Sequence, residues 1–280
     1  SLSKSFVSSA IGIAQGEGLL SIDDRLVDFF PDRLSPKVSE RMRRVTLRHL
    51  LTMASGHAGC ALQRYKAGDP GRDWAGGFLE DELPHEPGVK FAYNSGATFM
   101  LSAVIQKVSG LRVSEYLRPR LFDPLGFGEI AWERNPDGID IGGWGLWLSV
   151  EEIAAFAQLW LQGGVWDGRQ LIPRDYVAMT SRKQIENATI PWGGPPDWNQ
   201  GYGFQFWMCR YNCFRGDGYA GQIAVMATAM SCSGIISAGS GDIQAELDAA
   251  YVSLMNAVKH RALPVDAAAL SALEAKAAAD

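Results

Sequence analysis

The sequence has little cysteine, no long apolar run and no clustered positive charge. Its four cysteines, Cys60, Cys209, Cys213 and Cys232, are too few and too irregularly spaced for a disulfide framework. Cys209 and Cys213 flank Arg210-Tyr211-Asn212, which reads as a hairpin turn, and have the spacing to cross-link in an oxidising compartment; buried or idle thiols are the favoured reading. No apolar stretch approaches the roughly 20 residues that span a bilayer, since the longest, around 234–238, is interrupted by Ser and Gly. No membrane span is expected. The 26 Lys and Arg are scattered among 31 Asp and Glu, for a net charge of -5, which leaves no phosphate-neutralising stripe and argues against nucleic acid as a partner. The four histidines are dispersed, no metal-ligand spacing occurs and no internal repeat is present, so neither a metal nor a repeat architecture is expected. The sequence does not open on Met, and no basic segment leading into an apolar one precedes the first helical pattern. We therefore expect residues upstream of Ser1, and no compartment or oligomeric state is assigned.

What is present is a 280-residue chain, 47% hydrophobic, long enough to bury a substantial core. From Ser3 to Gly18, apolar residues at Phe6, Ala10, Ile13 and Ala14 recur at helical spacing and run out at Gly16 and Gly18, which predicts a helix starting almost at the first residue. After breaks at Asp23-Asp24, Pro31 and Pro36, a short helix is expected over Thr46 to Met53 with Leu47, Leu50 and Leu51 inward. Residues 56–90 are rich in Gly, Pro and charge and carry Trp74 and Phe78 as anchors, the pattern of a folded surface excursion leading to Tyr93. Helical spacing returns from Ser95 to Ser109, from Val113 into Pro119 and Pro124, and from Ser149, an N-cap with Glu152 three residues on, to Gln162.

The periodicity then changes to strands at Gly201 to Arg210, Cys213 to Gly218, Gln222 to Ala229 and Cys232 to Ser240, which implies an antiparallel sheet. A helix from Asp242 to His260 is expected to close on that sheet, and Asp266 to Asp280 reads as a further helix or a frayed end. The expectation is an α+β protein with one domain over 1–260, its helical lobe at about 19–200 and its sheet and closing helix at about 201–260, followed by an Ala-rich extension at 261–280.

The first candidate for chemistry is Ser1-Leu2-Ser3-Lys4. An offset of three at a helix start stacks the lysine amine one turn above the serine hydroxyl on one face. Burial and neighbouring dipoles lower an ammonium pKa, and a neutral amine so placed accepts the hydroxyl proton. The helix N-terminus favours negative charge developing at the serine. The plain alternative is an N-cap serine beside a solvated lysine.

The residues that follow extend well beyond a four-residue motif. Ser5-Phe6, Ile11-Gly12-Ile13-Ala14 and Glu17-Gly18-Leu19-Leu20-Ser21-Ile22-Asp23-Asp24 resemble the segment after the nucleophile in class C β-lactamases, DD-peptidases and related esterases. Arg48-His49-Leu50-Leu51-Thr52-Met53, Ser55-Gly56-His57, Pro87-Gly88, Phe91-Ala92-Tyr93-Asn94-Ser95, Pro124-Leu125-Gly126 and Gly142-Gly143-Trp144-Gly145-Leu146 continue the resemblance in order. It runs on through Gly201-Tyr202-Gly203-Phe204-Gln205-Phe206-Trp207 and Asp217-Gly218-Tyr219-Ala220-Gly221-Gln222, and so covers nearly everything from residue 1 to about 260.

The resemblance implies a β-lactamase/transpeptidase-like fold, an antiparallel sheet flanked by helices plus a helical lobe, and a two-step serine hydrolase without metal or organic cofactor. Ser1 would be the nucleophile, Lys4 its base, and Tyr93, in the family's Tyr-x-Asn motif, the relay of a proton to the leaving group. Ser95 stands where that motif has Asn, so the amide that usually contacts lysine and substrate is replaced by a hydroxyl. The third family motif, Lys-Thr-Gly or His-x-Gly, falls at Gly216-Asp217-Gly218, without its carboxylate-binding cation. Arg215 is the remaining charge, on the opposite strand face from Gly216. The missing motif cation argues against penicillins and D-Ala-D-Ala peptides as natural substrates. The backbone N–H groups of Ser1 and Tyr219 would form the oxyanion hole, and Ser95, Gly216, Asp217 and Gly218 would border the substrate. Trp192 and Trp198, in a Gly/Pro loop before the strands, are candidates to wall an acyl pocket.

The expected partner is a small-molecule ester, amide or lactam, with ester favoured over lactam. His49 and His57 permit a Ser-His reading, but the family's His-Leu-Leu helix is a structural landmark. Two other readings stay open: an N-terminal nucleophile hydrolase using the α-amino group of Ser1, and an inactive member acting as a scaffold. The family also places strands before the nucleophile; without them the sheet is expected to expose an edge, and the chain alone to be poorly stable or to self-associate. Cooperative unfolding of the 280-residue monomer at ordinary temperature would refute this last expectation.

Overall fold

The protein is described here from a computed structural model that covers residues 1–64, 73–188, 195–237, 239–258 and 266–277. Helix α1 (Ser3–Gly16) is its axis, with every residue from Ser3 to Ala14 buried. Small Ser, Ala and Gly residues interspersed among the large apolar ones let neighbours close in from all sides. At Gly12 the neighbour is the Tyr176 ring, where an added Cβ would collide with the ring carbons, and Gly16 faces the Pro173 ring in the same way. The Tyr176 hydroxyl reaches the Ser8 hydroxyl at 2.9 Å, which satisfies both polar groups inside the core.

The helical lobe follows as α2 (Glu40–Arg43), α3 (Leu47–Leu51), α4 (Trp74–Leu79), α5 (Ser95–Ser109) and α6 (Val113–Leu117). Thr46 caps α3, and Asn94 caps α5 by accepting from the Gly96 N–H at 2.9 Å. Gly110, left-handed at φ 74, ends α5. Trp74 and Phe78 are buried, so the segment leading to Tyr93 is anchored in the core. The chain continues as β1 (Ala131–Trp132), β2 (Leu146–Trp147), α7 (Val150–Leu161), β3 (Val165–Trp166), β4 (Arg169–Gln170) and α8 (Arg174–Thr180), with β1–β2 and β3–β4 forming two short antiparallel ribbons. Ser149 and Glu152 form the capping box expected at the start of α7.

The main sheet is antiparallel in the order β5 (Trp207–Met208), β6 (Cys213–Gly218), β7 (Gln222–Ala227) and β8 (Cys232–Ser237). Pairing of Gly216 with Ala224 and of Ala224 with Ile235 fixes its register. One face carries Phe214, Ala224 and Met226 into the α1 core. The other carries Ile223 and Val225 against Leu247 and Tyr251 of α9 (Ile243–Ala257). Helix α10 (Ala267–Ala277) follows, exposed from Ala267 to Lys276. Among the described residues, β8 is an edge strand and no helix is long and apolar enough to cross a membrane.

The strand expected over Gly201 to Arg210 is shortened to Trp207–Met208. The cause is Gln205, which takes φ 64 and turns its amide inward, donating to the Leu50 and Leu51 carbonyls at 3.1 and 2.9 Å. Its Oε1 accepts from Thr98 at 2.7 Å and its backbone carbonyl accepts from Ser5 at 3.0 Å. One buried residue thus joins α1, α3 and α5, and this tertiary satisfaction overrides the strand period. Cys209 and Cys213 are both buried free thiols, not a disulfide; each sits on the sheet face covered by α9.

Close packing at Gly12 yields a stability prediction. Gly12→Ala drives a methyl into the Tyr176 ring, and urea denaturation should show a loss of about 1 to 3 kcal/mol despite the better helix propensity of alanine.

Candidate active site

Residues far apart in sequence, Ser1 and Lys4 with Tyr93 and Gly143, meet at the start of α1. Ser1 leads into the first turn, where the Lys4 N–H donates to the Ser1 carbonyl at 3.0 Å. This turn brings Lys4 Nζ to 3.0 Å from Ser1 Oγ. The amine also donates to the Gly143 carbonyl at 2.6 Å and lies 4.9 Å from the centre of the Tyr93 ring. Lys4 is 1% exposed, and burial lowers its ammonium from the ordinary 10.5 to about 7, with Cys60 and Asp217 acting in the opposite direction. At neutral pH the amine is therefore partly free to accept a proton.

Tyr93 precedes the Asn94 cap of α5, so the helix start fixes where its ring emerges. The ring stacks on Trp207 at 5.3 Å and meets Tyr202 edge-on at 6.4 Å. Burial pushes its phenol well above the usual range, Asp217 pushes it further, and a hydrogen bond with the Ser1 side chain pulls it back.

The Gly143 carbonyl is a partner of Lys4 that sequence reasoning left without a role, although Gly142-Gly143 stood among the family landmarks. Gly142 adopts φ 71 and a Cβ there would lie 3.1 Å from both Val7 and Ser102; at Gly143 it would lie 3.0 Å from Ser95. Two glycines are what let this loop descend onto α1 and α5. The Leu146 N–H donates to Ser3 Oγ at 3.2 Å and ties the loop to the same helix turn. Ser95, at the first position of α5, packs against Gly143 instead of reaching Lys4 as an amide would.

On β6, Gly216 and Gly218 face α1. A Cβ on Gly216 would meet Leu2 at 2.5 Å and Ser5 at 2.7 Å, and one on Gly218 would lie 2.9 Å from the Ser1 backbone nitrogen. On the side facing α1, Gly216 packs against Leu2 and Ser5. Arg215 and Asp217 lie on the other strand face, as alternation required. Arg215 is fully buried; Nε donates to Asp217 at 2.8 Å and Nη1 to the Asp197 carbonyl at 2.8 Å. The guanidinium lies 4.3 Å over the Trp198 ring, so Trp198 is committed to Arg215 and does not line the cavity beside Ser1. Trp192 lies outside the described residues.

That cavity encloses about 460 Å³ and is bordered by Ser1, Ser3, Trp147, Ile153 and Tyr219. Both histidines of the Ser-His alternative are engaged elsewhere: His49 Nδ1 accepts from the Thr46 N–H, and buried His57 lies between Ser55 at 2.9 Å and Asp81 at 3.3 Å. Among the described residues no three His, Cys, Asp or Glu side chains converge to hold a metal.

A family model described as Beta-lactamase matches residues 1–261. The chain belongs to the Beta-lactamase family. Its fold is shared with the hydrolase EstCE1 (TM-score 0.70, 16% identity, 90% of this chain and 83% of that one) and with a beta-lactamase from Mycobacterium bovis (TM-score 0.64, 19% identity, 91% and 85%). A curated relative, an uncharacterized protein from Alkalihalophilus pseudofirmus, is 22% identical over 206 residues, 67% of this chain. The chain spans 54% of that relative's length.

A lysine whose folded pKa is about 7 costs stability below pH 7, because the unfolded chain holds the proton more tightly. The cost fades as pH rises toward 10.5. Lys4→Met removes it but leaves the Gly143 carbonyl without its donor, so the variant should gain about 2 to 4 kcal/mol at pH 6. Urea denaturation at pH 6 and again near pH 10 should show that gain shrinking.

Proposed function

We propose that this Beta-lactamase family protein is a serine hydrolase that works through an acyl-enzyme on esters and amides of small molecules. The observation that carries the reading is the buried Lys4 amine, lowered to about 7 and 3.0 Å from Ser1 Oγ. Lys4 takes the proton of the Ser1 hydroxyl as Oγ bonds to the substrate carbonyl carbon. The backbone N–H groups of Ser1 and Tyr219 hold the resulting oxyanion; the approach of Gly218 to the Ser1 backbone supports this pairing. As the bond to the leaving group breaks, Tyr93 donates to that group and is reprotonated from Lys4. Water then attacks the acyl-enzyme carbonyl, gives its proton to the Tyr93–Lys4 pair, and Ser1 Oγ recovers its own.

Asp217 stands beside this centre, and the nearby cation, Arg215, is paired with it and with Asp197 behind the strand. A substrate carboxylate finds no free partner on β6, which favours neutral esters and amides over penicillin-type lactams. EstCE1, described as a hydrolase with promiscuous acyltransferase activity, has the same fold and fits acyl transfer as the shared chemistry.

A fluorophosphonate probe should label the protein, and Ser1→Ala should abolish labelling; labelling that persists in the variant removes Ser1 from the role. Tyr93→Phe should lower kcat for p-nitrophenyl butyrate by about 10²- to 10⁴-fold. Since the base is the neutral amine, kcat/KM should rise with pH through about 7 and then level, and Lys4→Met should flatten that limb. Nitrocefin should turn over at least about 100-fold more slowly than the butyrate ester, as expected for a site without a cation for its carboxylate.

A further inference from the structure

We infer that the cavity between α1, the β1–β2 ribbon and the β7–β8 edge is the acyl-binding pocket, built for an uncharged, bulky apolar acyl group such as a medium chain or an aryl-alkyl chain. This rests on the serine hydrolase reading above and specifies its substrate. The cavity, about 460 Å³, lies within the range of small-molecule sites. Phe6, Leu146, Leu148 and Ile153 line it with apolar surface, and Trp147 and Tyr219 stand at its rim. Trp147 is 71% and Tyr219 90% exposed. Two large rings left this open to water beside a nucleophile mark a surface that gains by covering a ligand.

The frame is preformed. The Leu146 N–H bonds to Ser3 Oγ, and Trp132 Nε1 donates to the Trp144 carbonyl at 3.0 Å. Glu133 packs over Gly145, where φ is 87, and accepts from Trp144 Nε1 at 3.1 Å. Glu133 is the one charged side chain among the described residues that line the cavity, so the pocket repels a carboxylate-bearing acyl group.

Which half of the substrate enters follows from proton transfer. The leaving group must sit beside its proton donor, Tyr93. Ser1 borders the cavity, whereas Tyr93 and Lys4 do not. With the leaving group on the Tyr93 side, the acyl substituent is directed into the cavity. In this reading acyl specificity lies with Leu146, Trp147 and Leu148, whereas Trp198 stacks on Arg215 and Trp192 lies outside the described residues.

The test compares p-nitrophenyl acetate with p-nitrophenyl octanoate, which share a leaving group, in the wild type, in Ser237→Trp and in Trp147→Ala. Ser237 is exposed at the end of β8 and borders the cavity, so a larger side chain there fills the space without entering the core. The octanoate-to-acetate ratio of kcat/KM should exceed about 10 in the wild type. Filling the cavity should lower it at least about 5-fold through octanoate alone, and Trp147→Ala should lower it in the same direction. Binding of decanamide to the Ser1→Ala protein, followed by tryptophan fluorescence, gives a readout that needs no turnover and should be lost on adding Ser237→Trp. An unchanged ratio in both variants, or decanamide binding unaffected by Ser237→Trp, overturns the pocket. Hydrolysis of both esters that survives Ser1→Ala instead overturns the nucleophile assignment, while decanamide binding still decides the pocket.

Discussion

An amine held inside a protein must either lose its proton or be surrounded by acceptors, and Lys4 does some of each. It is buried on the central helix with the Ser1 hydroxyl and the Gly143 carbonyl as partners. Satisfying that one group requires the first turn of α1, a loop from residue 143 and the ring of Tyr93 to meet around it. The same burial that costs folding free energy lowers the proton affinity of the amine into the range useful to a base. Much of the rest of the architecture serves to keep that meeting point closed.

Small residues make the convergence possible. Gly142 and Gly143 let the loop lie on α1 and α5, and Gly216 and Gly218 let β6 lie on Leu2, Ser5 and the Ser1 backbone. A side chain would collide at Gly216 and Gly218 and crowd its neighbours at Gly142 and Gly143, so close backbone approach helps set the geometry of the site. Gln205 supplies the complementary polar fixing, bonding to α1, α3 and α5 from one buried amide and its own carbonyl.

Charge divides the two sides of β6. Arg215 is enclosed by Asp217, the Asp197 carbonyl, Cys209 and the Trp198 ring, so its guanidinium is paired behind the strand instead of free. On the other flank, apolar surface framed by the β1–β2 ribbon borders the same serine.

The sequence by itself determined α1, α5, α7 with its Ser149 cap, and strands β6 to β8, because each is written in a local period with its own stop signals. It also singled out Ser1, Lys4 and Tyr93, through motifs whose order survives in the chain. Only the tertiary structure decided the role of Gly143, since a backbone carbonyl carries no residue-type signal. It likewise decided the truncation of the Gly201 to Arg210 strand at Gln205, and the engagement of Trp198 by Arg215. In each case the deciding partner is distant in sequence: Lys4 for Gly143, Leu50 and Leu51 for Gln205, Arg215 for Trp198. Local periodicity records which face of an element is apolar, but not which distant group will meet it there.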